Sequence, residues 1–152
     1  MRKRNFLIWI LIGIYICWIF SNSLTVGVDS SEISSKAAHF LMRVINHFGF
    51  SIDFNLFHHY VRKLAHFSEY ALLGFLLIIA IRIAPLMKSR FLNFLIIMLS
   101  IPFVDEGIQM LVPGRTSAIF DSFIDIGGIL AGGFVAYVFA LIIEDICIEK
   151  DG

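Results

Sequence analysis

A chain of 152 residues has room for one domain at most. It is 59% hydrophobic and 16% charged, with mean hydropathy +0.86, whereas soluble domains are about one quarter charged, so it belongs with membrane proteins. Twelve basic and twelve acidic side chains cancel, and no basic run interleaved with aromatics occurs, which argues against a nucleic-acid partner.

Met1-Arg2-Lys3-Arg4 ahead of an apolar run resembles the start of a signal peptide, but Phe20-Ser21-Asn22-Ser23-Leu24 offers no clean small-x-small cleavage site. The run therefore predicts an uncleaved first span over about 5–24. From Ser31 to Phe48, Ile33, Ala37, Phe40, Leu41, Val44, Ile45 and Phe48 recur at helical spacing. Ser35, Lys36, His39, Arg43 and Asn46 fall mostly on the other side. That pattern predicts an amphipathic helix in the membrane interface over about 31–48, capped by Ser30 or Ser31 and stopped at Gly49. Ser51 to Tyr60 reads as a short aromatic connector. His39, His47, His58 and His59 are expected at the interfacial surface, and Tyr60 and Tyr70 suit an aromatic belt.

The second span, about 64–83, follows Arg62-Lys63-Leu64-Ala65-His66-Phe67-Ser68-Glu69-Tyr70. Helical steps of three and four put Lys63, His66 and Tyr70 on one stripe, with Arg62 and Glu69 alongside. The third span, about 91–112, is interrupted by Pro102, Asp105, Glu106 and Gln109. The turn Pro113-Gly114-Arg115 leads to a fourth span, about 119–143, which opens with Asp121 and Asp125 and continues with Gly128-x-x-x-Gly132, a spacing that lets another helix approach closely. Cys17 and Cys147 sit in or beside apolar runs without metal-ligand spacing and read as buried, inert thiols.

The expected fold is an all-α membrane protein of four transmembrane helices and one interfacial helix, forming a single domain over 1–152. Arg2, Lys3, Arg4, Arg82, Lys88, Arg90 and Lys150 share one side of such a topology, seven basic residues against five on the other (Lys36, Arg43, Arg62, Lys63, Arg115), which favours cytoplasmic termini in the cell membrane. The span count alone brings the start of span two, the end of span three and the start of span four to one surface. Those are the places where the polar residues lie. Intramembrane charge is costly, and five carboxylates, three strong cations and a histidine exceed what packing four helices requires.

Lys63-x-x-His66-x-x-Glu69-Tyr70, Asp105-Glu106-x-x-Gln109, and Gly114-Arg115 followed by Asp121 and paired small residues together resemble the VanZ-like family, over about Ser21 to the end of span four. Ser21 or Ser23 supplies the serine that follows the first span in that pattern, whereas Asp125 stands where the family often has Asn. The resemblance implies a multi-pass protein of the bacterial envelope, in a family whose founding member is tied to reduced susceptibility to teicoplanin. It implies a context and no mechanism.

Three readings of the site stay open. The favoured one is an outward-facing site for a phosphorylated lipid or lipid-linked cell-wall headgroup, so that membrane lipids are the expected partners. There Arg62, Lys63 and Arg115 hold phosphate, with Tyr70, Gln109 and Asp125 beside them. His66, Glu69, Asp105, Glu106 and Asp121 are the candidates for acid–base chemistry of a hydrolase or transferase. That reading assigns no metal and names no cofactor. The second places one or two divalent ions on His66, Glu69, Asp105, Glu106 and Asp121. The third is a non-enzyme, a proton-linked carrier or a scaffold.

Overall fold

The computed structural model describes residues 2–24, 27–48, 52–113 and 120–150, with side chains for 6–24, 35–48, 52–113 and 120–144. Among them are α1 (Arg2–Ser23), α2 (Gly27–His47), α3 (Phe54–Ile83), α4 (Arg90–Met110) and α5 (Asp121–Lys150), and no strand. All but α2 are long and apolar enough to cross a membrane. The architecture is that of an all-α, multi-pass membrane protein. Helices suit this setting because they satisfy their backbone hydrogen bonds internally, where lipid offers none. Accordingly the outer faces are apolar: Phe6, Leu11, Phe91, Ile96, Phe134 and Phe139 are all exposed on the bundle surface.

The core is a narrow seam of Ile12, Ile19, Tyr70, Leu73, Leu77, Ala80, Met98 and Ile129. The largest interface joins α3 and α5, and it is built on glycine. A Cβ on Gly132 would fall onto the carbonyl oxygen of Ala71, and one on Gly74 onto that of Ile129. A Cβ on Gly128 would stand 2.5 Å from the Phe67 carbonyl oxygen. Backbone thus lies against backbone, the arrangement that Gly128-x-x-x-Gly132 predicts.

One end of the bundle is tied by polar groups. Trp9 Nε1 donates to the Ala84 carbonyl at 2.7 Å, and Arg82 pairs with Glu144 at 2.8 Å while lying 5.3 Å from the Tyr137 ring centroid. The α3–α4 turn closes on Asn93, which accepts from the Met87 N–H at 3.0 Å and donates to the Met87 and Ser89 carbonyls. Ser89 caps α4 by accepting from the Leu92 N–H at 3.2 Å. The beginnings of α1 and α4 and the ends of α3 and α5 therefore share one end.

Several sequence expectations need revision. The connector over Ser51–Tyr60 is helical from Phe54 onward, because Asp53 Oδ1 accepts from the Leu56 N–H at 3.0 Å and starts α3 ten residues before the apolar run. His58 and His59 thus ride on α3, where Phe54 stacks on His39 at 4.1 Å and on His58 at 5.9 Å. Helix α2 begins at Gly27, so Ser30 and Ser31 lie inside it rather than at its cap. It packs on α3, with Ala38 buried and Phe40, Leu41, Val44 and Phe48 exposed. Cys17 is exposed on the outer face of α1 rather than buried, and the side chain of Cys147 lies outside the described residues. Tyr70 is fully buried rather than part of an aromatic belt. Gly49 and Arg115 lie outside the described residues.

Gly132→Ala is expected to lower the thermal midpoint in detergent, because the added methyl must push α3 and α5 apart, an overpacking cost of about 1–3 kcal/mol or more. Gly13→Ala meets nothing within 4 Å and is expected to leave the midpoint unchanged or raise it slightly, since Ala is the better helix former by about 1 kcal/mol.

Candidate functional site

At the opposite end of the bundle the polar residues come together. The stripe on α3 faces α4 and α5 because Gly74, Gly128 and Gly132 hold α3 and α5 in contact just below it. The last turns of α4 present Asp105, Glu106 and Gln109, all buried. Asp105 and Gln109 are one turn apart on α4, and Gln109 Nε2 donates to Asp105 Oδ2 at 3.0 Å and to Ser23 Oγ at 3.3 Å. Ser23, at the end of α1, is itself buried. Of the two serines that suit the position after the first span, Ser23 is buried within the cluster, whereas Ser21 is exposed.

The first turns of α5 supply Asp121 and Asp125. Asp121 lies at the rim and accepts from Lys63 Nζ at 3.0 Å, both side chains keeping about a third of their surface exposed (34% and 38%). Asp125, one turn deeper, is 3% exposed. It lies within electrostatic reach of Asp105, Glu106, Asp121 and Glu69. One ligand atom each from His66, Asp105 and Asp125 lies within 4.8 Å of the others. His66 is half-buried there, and Arg62 is half-buried beside Lys63. Glu69 points toward α1, accepting from Asn22 Nδ2 at 3.3 Å, while its backbone carbonyl accepts from the Tyr15 hydroxyl at 3.0 Å.

Tyr70 closes the floor. Its hydroxyl and Asp105 Oδ1 are buried without a well-formed hydrogen bond among the described residues, although Tyr70 lies within electrostatic reach of Asp105, Asp125 and Glu69. Buried polar atoms are normally satisfied, because an orphaned one costs about 1–3 kcal/mol. Pro102 shapes the same wall: it has no N–H to give to the preceding turn of α4, and its carbonyl accepts from the buried Ser122 Oγ at 3.5 Å.

Three helices thus place His66, Glu69, Tyr70, Asp105, Glu106, Gln109, Asp121, Asp125, Arg62 and Lys63 at one end, and α1 adds Ser23 and Asn22. Arg115 precedes α5 in sequence but lies outside the described residues. Sequence reasoning passed over Asn22 and Ser122. A polar residue just past the end of one apolar run, Asn22, and one near the start of another, Ser122, were the available signals.

A comparison with curated proteins and one with solved structures each returned no match. The family model described as VanZ/LLP1 matches residues 6–141, a stretch that takes in most of α1, all of α2 to α4, most of α5 and the whole polar cluster. The chain belongs to the VanZ/LLP1 family.

Proposed function

We propose that this membrane protein binds the phosphorylated headgroup of a lipid, or of a lipid-linked cell-wall precursor, at the polar end of its bundle. The observation that carries this reading is the burial of Asp105, Glu106, Gln109 and Asp125 inside a bundle whose apolar spans could pack without them. Each buried ion costs several kcal/mol of desolvation, and glycine contacts already join α3 to α5. Function is the usual reason for carrying such groups at the edge of a span.

The division of charge supports a headgroup ligand. Lys63 stands at the rim with Arg62 next to it, and the carboxylates and His66 lie deeper. The Lys63–Asp121 pair is part-exposed, so holding it closed is worth about 1 kcal/mol or less. A phosphate at the rim gains charge-assisted hydrogen bonds of about 1.5–3 kcal/mol each and can take Lys63 from Asp121. Arg115 joins the same group in this reading. His66, next to Asp105, stands where a proton can be given to or taken from the bound headgroup. The excess of basic residues on the strands of chain around α1, the α3–α4 turn and the tail supports cytoplasmic termini and a site on the outer leaflet of the cell membrane. The exposed apolar side chains of α2 suit a position in the interface beside that site.

Native mass spectrometry of the full chain in mild detergent is expected to show a retained phosphate-bearing lipid. Lys63→Ala, Arg62→Ala and Arg115→Ala are each expected to weaken binding to phosphatidylglycerol vesicles by about tenfold or more, the loss of one charge-assisted contact. Retention of full binding by all three, with only their yield lowered, would mean that the charges serve architecture.

His66→Ala separates recognition from chemistry. Measured in the presence of EDTA, it is expected to keep vesicle binding within about threefold of the parent, since an aromatic base contributes little to phosphate affinity beside the strong cations Arg62, Lys63 and Arg115. Any hydrolysis or transfer on the bound headgroup is expected to fall by about a hundredfold or more.

A further inference from the structure

We infer that His66, Asp105 and Asp125 form a site for a divalent transition-metal ion, with Zn2+ and Mn2+ as the ions its donors suit. One imidazole nitrogen and two carboxylates are a borderline donor set; an all-oxygen site would favour Mg2+ or Ca2+ instead. Their ligand atoms already lie within 4.8 Å of one another, so small side-chain movements bring three donors onto one ion. The residues come from three separate helices, whose backbones are fixed by glycine contacts and by the Ser23–Gln109–Asp105 hydrogen bonds.

A second observation points into the same space. Asp105 is fully buried, and only its Oδ2 is hydrogen-bonded, to Gln109. Its Oδ1 has no well-formed hydrogen bond among the described residues. The hydroxyl of Tyr70, also fully buried, has no well-aligned partner among the described residues either: it lies within reach of the Asp105 carboxylate without forming a well-formed hydrogen bond, and within electrostatic reach of Asp125. Two buried carboxylates and a buried hydroxyl gathered around one point, with Asp105 Oδ1 lacking a well-aligned donor, are an arrangement that a cation stabilises. Gln109 then orients Asp105 as a hydrogen-bonded outer partner, as ligating carboxylates generally require. The set differs from the one read from spacing alone. Asp121 is instead paired with Lys63, and Glu69 turns to Asn22.

The metal site stands without the headgroup reading, but it also deepens it. A cluster rich in carboxylates repels phosphate, and an ion held by His66, Asp105 and Asp125 reverses that local sign.

The test uses the full chain in mild detergent. Elemental analysis after incubation with ZnCl2 or MnCl2 and gel filtration is expected to give about one ion per chain. His66→Ala and Asp125→Asn are each expected to cut the retained metal by about tenfold or more. Where either variant fails to fold, the parent alone decides: added ZnCl2 or MnCl2 is expected to raise its thermal midpoint and EDTA to lower it. A parent that takes up neither ion, or variants that keep the full equivalent, overturns the proposal and leaves a proton as what the aspartates share. Phosphatidylglycerol binding measured with and without EDTA separates the two readings. Lipid binding indifferent to EDTA in a metal-free protein sinks the metal and spares the headgroup. One bound ion without lipid binding does the reverse.

Discussion

The contact of α3 with α5 through glycine backbone is the constraint on which the rest depends. Lipid provides no hydrophobic drive for helix association, so van der Waals contact must supply it, and that contact is densest where no side chain intervenes. Gly74, Gly128 and Gly132 put the two backbones against each other over more than a helical turn. This fixes the rotation of both helices. Tyr70 and His66 lie about one and two turns before Gly74 on α3, and Asp121 and Asp125 precede Gly128 on α5. The polar residues therefore meet because the small residues next to them do.

The remaining helices complete the enclosure by different means. Helix α4 brings Asp105 and Gln109 in on a segment containing Pro102, and it is linked to α1 through Gln109 and Ser23. Helix α1 has few buried residues, yet it is bonded near both ends, by Trp9 to the Ala84 carbonyl and by Asn22 to Glu69. Bonds at the two ends of α1 span the height of the bundle, which fits a helix too apolar on every face to be oriented by amphipathicity alone.

Much of this was legible in the sequence. Four apolar runs separated by turns fix the span count, and the span count places the polar ends together without any knowledge of distance. The glycine pair on α5 announced a close helix, but its partner could not be read, since Gly74 and Ala71 are ordinary residues in an apolar run. The start of α3 was missed because Phe54–Tyr60 is aromatic and carries two histidines, which reads as a connector. The decisive signal was Asp53, a lone capping residue that stands ahead of a helix longer than its apolar part. Tyr70 was misplaced for a related reason: amphipathic aromatics favour the interface on average, and only the packing of α4 and α5 shows that this one is enclosed. The division of the carboxylates between Lys63, Asn22 and the His66 cluster depends on side-chain directions that no spacing determines.

The length of α3 has a mechanical consequence. Thirty residues make a rod of about 45 Å, against a hydrocarbon core of about 30 Å. Even at a tilt of 40°, the upper end of what spans adopt, the rod still projects about 34 Å along the bilayer normal and outreaches the core. The surplus falls on the Phe54 side, where α2 is seated, because α5 begins beside Lys63 and α1 ends beside Glu69. With no break between that overhang and the histidine stripe, a push on the protruding stem is delivered to the cluster as a rigid-body tilt. The position of α2 and the position of the buried cluster are thereby set by one continuous stem.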